Sequence, residues 1–188
     1  MAAEYNLLVI GGGAGGLVSA YIGAALKAKV ALVEKKTMGG DCLNTGCVPS
    51  KSLLRTARFV ADMHRCQSLG VAQVKYELDF AQVMERVQGR VKAIEPHDSI
   101  ERYRSLGVDC YHGFAKILDP QTVSVDDRII KTRSLIMALG GEPAVPSLKG
   151  VEKIEFLNSD TFWKLRSLPK RLLVLGGGAV GCELAQAM

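Results

Sequence analysis

Tyr5–Ile10 is a short apolar run rich in β-formers, broken at once by Gly-Gly-Gly-Ala-Gly-Gly. A small-residue stretch over 17–26 follows, so the pattern predicts strand, turn and helix. A second apolar run, 30–33, ends in Glu34 and completes a βαβ unit of about 30 residues, the length a parallel crossover needs. Residues 38–46 read as loop. Pro49 suits a first helical turn, and Leu53, Leu54, Ala57, Val60 and Ala61 recur at helical spacing, which predicts a helix over about 48–66. Asp79 is a candidate N-cap for a further helix through Val83, Met84, Val87, Val91 and Ile94, interrupted at Pro96. A third helical stretch ends near Leu106 and Gly107.

From 108 to 139 the texture changes to short β-prone pieces separated by Gly113, Asp119-Pro120 and Asp126-Asp127, read as small antiparallel strands. Residues 135–139 are fully apolar and predict a return to a buried parallel strand. Ser159-Asp160 can cap a short helix containing Phe162, Trp163 and Leu165. The opening then repeats: an apolar β-run over 172–175, Gly176-Gly177-Gly178-Ala179-Val180-Gly181, and a helix start. The chain stops about two turns later, before any return strand, so it reads as the truncated N-terminal part of a longer protein.

Residues 6–26 carry no charge, which on length alone would suit a membrane span or a signal segment. Six glycines in that window argue against a spanning helix, since each costs about 1 kcal/mol relative to Ala. The net charge of +5 comes from Lys and Arg spread along the chain rather than gathered in a tract, so nucleic acid is not the expected partner. Five cysteines without a signal peptide fit a reducing, cytoplasmic setting in which any oxidised pair is catalytic or regulatory.

Gly11-x-Gly13-x-x-Gly16, between a strand and a helix, has the form of a dinucleotide-binding turn. It combines a tight turn, close backbone approach to a pyrophosphate and close helix packing, and Glu34 ends the next strand where a ribose is held. This unit alone does not separate FAD from NAD. Gly39-Gly40-Asp41-Cys42-Leu43-Asn44-Thr45-Gly46-Cys47-Val48-Pro49-Ser50-Lys51 places two cysteines five apart at a helix start. The helix dipole favours the Cys47 thiolate, and Lys51 lies one turn further on the same face.

Residues 39–51 resemble the GGxCxNxGCxPSK signature of the class I pyridine nucleotide-disulfide oxidoreductases, a family that includes dihydrolipoamide dehydrogenase, glutathione reductase and mercuric reductase. The likeness runs through the first glycine motif, the Ser-Leu-Ile-Met-Ala-Leu-Gly-Gly-Glu-Pro stretch and the second glycine motif. Glu-Pro-His-Asp-Ser-Ile-Glu-Arg-Tyr-Arg, 95–104, resembles the mercuric-reductase-like branch most. The resemblance implies an α/β, Rossmann-like three-layer FAD-binding domain over 1–150 with a small antiparallel β element, to be finished by a later segment. Residues 151–188 would be a linker and the truncated beginning of an NAD(P)-binding domain.

The resemblance also implies roles. Cys47 would be the flavin-proximal, charge-transfer thiol and Cys42 the interchange thiol, with Lys51 near the flavin ring and ion-paired to Glu183. FAD would be bound by Gly11, Gly13, Ala14, Gly15, Gly16, Glu34, Lys35, Gly40 and Asp41, and further along by Ala115, Ala138, Leu139 and Gly140. Leu139 stands where the family usually has Thr, which removes a hydroxyl contact. Gly176, Gly178 and Gly181 would receive NAD(P)H, the choice between NADH and NADPH lying on a strand beyond Met188. Electrons would pass from NAD(P)H through FAD to the Cys42–Cys47 disulfide, and on to a small-molecule disulfide or a thiolate-bound metal ion.

The full enzyme would be a homodimer whose acid–base His comes from a C-terminal domain, so this fragment alone would turn over negligibly. A flavoprotein transhydrogenase or oxidase with incidental cysteines is a rival reading. A non-catalytic FAD-binding or redox-sensing module is another. Cys66, Cys110 and Cys182 are expected to be small buried hydrophobes, and Trp163 is expected in the core. His64, His97 and His112 lack a partner motif, and no resident metal is expected.

Overall fold

A computed structural model describes residues 3–188, which form two compact units. One comprises the described residues up to Asn44 with Ala93–Glu142; the other comprises Thr45–Lys92 with Pro143–Met188.

The first unit is built on a six-stranded sheet in the order β3-β2-β1-β6-β5-β4. The strands are β1 (Tyr5–Ile10), β2 (Val30–Glu34), β3 (Val108–His112), β4 (Ala115–Asp119), β5 (Thr122–Val125) and β6 (Arg128–Met137). β1 pairs in parallel with both β2 and β6, and β2 pairs in parallel with β3. β4, β5 and the first part of β6 form an antiparallel meander. The expectation of small antiparallel strands ahead of the parallel run at 135–139 is therefore corrected at β3, whose Val108 lies beside Val30 in a parallel ladder. A short β-prone run reads the same whichever way its partner runs.

Two cores make this unit three-layered. Leu8, Ile10, Ala31 and Val33 on one sheet face meet Val123, Val125 and Ile130 of the meander. On the other face Val9, Val30 and Leu32 meet Leu17 and Ala20 of α1 (Ala14–Ala25), and Tyr103 of α5 (Ile100–Ser105). Full burial of each of these Val, Leu and Ile side chains stabilises by roughly 1.5–3 kcal/mol. Residues 38–46 are not all loop, because Gly40–Asn44 form a short helix, α2. The Asn44 amide stabilises it by donating to the carbonyls of Met38 and Gly40, at 3.0 and 2.8 Å. The apolar run at 135–139 continues the parallel ladder only to Met137, and Met137 and Leu139 are exposed.

In the second unit α3 (Cys47–Arg65) and α4 (Phe80–Ile94, through Lys92) pack through Leu53, Phe80, Met84 and Val87 around Phe162 and Trp163. Asp79 accepts from the Gln82 backbone N–H at 3.1 Å, as an N-cap does. α4 ends at Ile94, and a 3₁₀ turn over Glu95–Asp98 carries Pro96. Phe162–Lys164 is a 3₁₀ turn whose N-cap is Thr161, with no side-chain cap from Ser159-Asp160; just ahead of it Asn158 Oδ1 accepts from the N–H groups of Asp160 and Thr161, both at 3.0 Å. Residues 172–175 have no strand ladder, and Leu173 is 83% exposed. A four-residue β-run has no ladder without a neighbour to bond. α6 (Ala179–Ala187) follows and contacts α3.

Candidate functional site

The first glycine turn joins β1 to α1 with no room for side chains. Gly11 has φ +108°, and a Cβ there would lie 2.1 Å from the Ala138 carbonyl oxygen. A Cβ on Gly16 would lie 1.8 Å from the Gly11 carbonyl oxygen, so glycine at both positions is a condition of the fold. Gly13 and Gly40 approach backbone to backbone, a Cβ on Gly40 meeting the Gly13 Cα at 2.6 Å. Gly15 faces the Ala138 side chain. Ala138 itself is tied to β1 by its N–H, which donates to the Ile10 carbonyl at 2.8 Å.

Glu34, at the end of β2, turns its carboxylate to this turn. One oxygen accepts from the Gly12 N–H at 2.5 Å and the other from the Lys36 N–H at 2.6 Å. Beside it is a cavity of about 180 Å³ lined by Gly11, Glu34, Lys35, Phe114, Ala115 and Leu139, among others. Five residues expected at the FAD site thus share one crevice at the carboxyl ends of parallel strands, where α/β sheets place their ligands. Phe114 was not expected there. It is 63% exposed, with the Lys35 ammonium 5.8 Å from its ring centroid. Its place straight after Gly113 and beside Ala115 was the available signal. Asp41 and Cys42 follow Gly40 in α2, Asp41 exposed and Cys42 half-buried. Gly140, exposed and at φ +69°, turns the chain away from the sheet.

These features fit an extended diphosphate with a ribose. The N-cap of α1, Gly13, has no side-chain bond to the first-turn N–H groups, which leaves them for an anion near Ala14, Gly15 and Gly16. Each Glu34 oxygen accepts a backbone hydrogen bond and keeps lone-pair capacity for a ribose hydroxyl.

The second unit repeats the turn. Gly176 has φ +101°, Gly178 is the N-cap of α6, and a Cβ on Gly181 would meet the Gly176 carbonyl oxygen at 2.6 Å and Val174 Cγ1 at 3.4 Å. Gly16 stands in the same relation to Gly11 and Val9. The turn therefore keeps its form although 172–175 are unpaired.

Cys47 is an exposed thiol at the first position of α3, whose N-cap is Gly46. One turn along, Lys51 Nζ is ion-paired with Glu183 Oε1 of α6. Ser50 Oγ also donates to Glu183 Oε1, at 3.2 Å, and the Glu183 side chain is 24% exposed. Trp163 is buried, as expected, and its indole N–H donates to the Thr45 carbonyl at 2.8 Å. The expectation that Cys182 is buried is corrected: it is exposed on the first turn of α6, where its thiol donates to the Gly177 carbonyl. Cys66 and Cys110 are buried, and burial pushes the Cys110 thiol up from its usual 9.0. His64 meets the Tyr76 hydroxyl, and His112 Nε2 lies 3.3 Å from the Lys36 carbonyl.

Comparison with known proteins agrees with this geometry. The pyridine nucleotide-disulphide oxidoreductase family matches residues 5–188. A mercuric reductase of Lysinibacillus sphaericus is 34% identical over 183 residues, 97% of this chain and 34% of that protein. A dihydrolipoyl dehydrogenase of Acholeplasma laidlawii is 35% identical, over 98% of this chain and 56% of its own length. One of Bacillus subtilis is 33% identical, over 100% and 42%. The chain thus spans about a third to just over half the length of these relatives. The family's cofactors are FAD and NAD(P)H. With its two glycine turns and a cysteine pair, the chain belongs to the pyridine nucleotide-disulphide oxidoreductase family.

Proposed function

We propose that this chain serves a flavoprotein disulfide reductase in which Cys42 and Cys47 form the redox-active pair. Residues 1–150 form its FAD-binding domain, and 151–188 lead into the NAD(P)-binding domain. FAD, when bound, supplies two-electron transfer between NAD(P)H and the cysteine pair. Gly11, Gly13, Ala14, Gly15 and Gly16 hold its diphosphate by backbone N–H groups and by leaving space. Glu34 holds the ribose, and Lys35, Gly40, Asp41, Ala115, Ala138, Leu139 and Gly140 line the rest. Gly176, Gly178 and Gly181 do for the nicotinamide nucleotide what the first turn does for FAD.

The disulfide takes up two electrons and two protons to give two thiols. The Cys42 thiolate then attacks a substrate disulfide, releasing one substrate thiol and forming a mixed disulfide. Cys47 attacks Cys42 of that mixed disulfide, expels the second substrate thiol and restores the Cys42–Cys47 bond. Alternatively the two thiolates hold a metal ion while it is reduced, a reading supported by the mercuric reductases among the relatives. The working form is a homodimer in the cytoplasm.

The observation that carries this reading is the placing of Cys47. It is exposed at the uncapped start of a 19-residue helix, one turn before a lysine whose charge is held by Glu183. Replacing Cys42 or Cys47 by Ser separately, and assaying flavin-loaded protein with a small disulfide and with mercuric ion, tests it. Each substitution is expected to abolish reduction of the disulfide while FAD stays bound. Undiminished turnover in either variant would remove the pair from the reaction.

A further inference from the structure

The segment that joins the two cysteines is four residues long, 43–46, and Thr45 lies two positions before Cys47. Its carbonyl accepts the indole N–H of Trp163 at 2.8 Å. That indole is 5% exposed and lies edge-on to Phe162, with ring centroids 5.0 Å apart and planes at 81°. It belongs to the core formed with Leu53, Phe80, Met84 and Val87. The next residue, Gly46, is the N-cap of α3, and its carbonyl accepts from the Ser50 N–H at 3.0 Å. An aromatic ring fixed in a core thus grips the peptide through which the chain enters the helix carrying Cys47.

We infer that Trp163 is a positioning residue for the Cys42–Cys47 pair, its indole N–H holding Thr45 so that the intervening turn stays close to the geometry in which the disulfide closes. The inference rests on the redox-pair reading above. Disulfide closure becomes less favourable as the intervening chain gains freedom, and in so short a ring one released peptide is a large share of that freedom. A purely structural role would satisfy a buried indole N–H and a carbonyl to the same extent with the pair oxidised or reduced. It would change thermal stability and leave the thiol–disulfide equilibrium alone.

Trp163 is the sole tryptophan in the chain, so a tryptophan analogue fed to an auxotroph replaces residue 163 only. Benzothienylalanine keeps the fused-ring shape and lacks the N–H; 7-azatryptophan keeps the N–H. The FAD-loaded protein is equilibrated with mixtures of reduced and oxidised dithiothreitol, quenched, alkylated and mapped by peptide mass. One dithiol is oxidised for each Cys42–Cys47 disulfide reduced to two thiols.

Benzothienylalanine at 163, and Trp163→Phe, are expected to lower the equilibrium constant for disulfide formation by at least about 5-fold, the scale of one lost hydrogen bond. The 7-azatryptophan protein is expected to match the parent. An unchanged constant with a lowered melting temperature would overturn the inference, as would an equal fall with 7-azatryptophan. If Trp163→Phe does not fold, the isosteric analogue alone decides. A parent that forms no Cys42–Cys47 disulfide at any ratio would instead bring down the redox-pair reading, and the inference with it.

Discussion

Lys51 Nζ and Glu183 Oε1 form an ion pair between two helices, α3 and α6, one turn in from the start of each and far apart in sequence. The lysine side chain is 67% exposed, so solvent screening limits what the pair contributes by itself. A double-mutant cycle of Lys51→Met and Glu183→Gln is expected to give a coupling of about 0.5 kcal/mol in thermal stability. In flavin-loaded protein the same cycle is expected to show coupling in the rate of flavin reduction. Strictly additive rates would leave the pair without a part in the chemistry.

The glycine turns make a sharper expectation, because backbone atoms cannot move aside as a flexible side chain can. Gly16→Ala, with its Cβ 1.8 Å from the Gly11 carbonyl oxygen, is expected to cost at least about 3 kcal/mol and to abolish FAD binding. Gly89, inside α4 with no atom within 4 Å of its added Cβ, is the control. Gly89→Ala is expected to stabilise by about 0.5–1 kcal/mol. Urea unfolding and flavin retention measure both.

Alkaline conditions are expected to weaken the first unit. Burial pushes the Tyr5 phenol well above its usual 10.0, helped by its hydrogen bonds with Tyr111 and Asp109 at 2.6 and 2.8 Å. Burial also raises Tyr103 and Cys110. A raised folded-state pKa gives stability that is fully present below the unfolded value and is lost as pH rises above it. The melting temperature is therefore expected to fall from about pH 9 upward, as Cys110 and then the phenols ionise in the unfolded chain. The Tyr5→Phe, Tyr103→Phe double variant is expected to flatten that fall above pH 10; an unchanged slope would assign it to other groups.

What could be read from the residues was mostly what local backbone geometry dictates. Gly11 and Gly16 admit no side chain, and Gly176 and Gly181 repeat the relation without a paired strand, so this turn is encoded by its own few residues. The Lys51–Glu183 pair was implied by the family resemblance at the two motif positions, not by spacing alone. Other features depend on remote partners that a linear pattern does not contain. β3 looked like its antiparallel neighbours because direction belongs to the pairing with β2. The helix at Gly40–Asn44 depends on where the Asn44 amide points, and Trp163 looked like core alone until its N–H met Thr45. Residues 172–175 carry a strand's composition, and composition does not supply the neighbour that makes a strand.

The redox pair itself is tested most directly by following the thiols. Flavin-loaded protein is oxidised, treated anaerobically with one two-electron equivalent of dithionite, alkylated and mapped, beside a flavin-free control. Cys42 and Cys47 are expected to start linked and to gain label together, faster with flavin than without, while Cys66, Cys110 and Cys182 stay unchanged. Reduction of the flavin with Cys42 and Cys47 still linked, or label appearing on only one of them, would contradict the assignment.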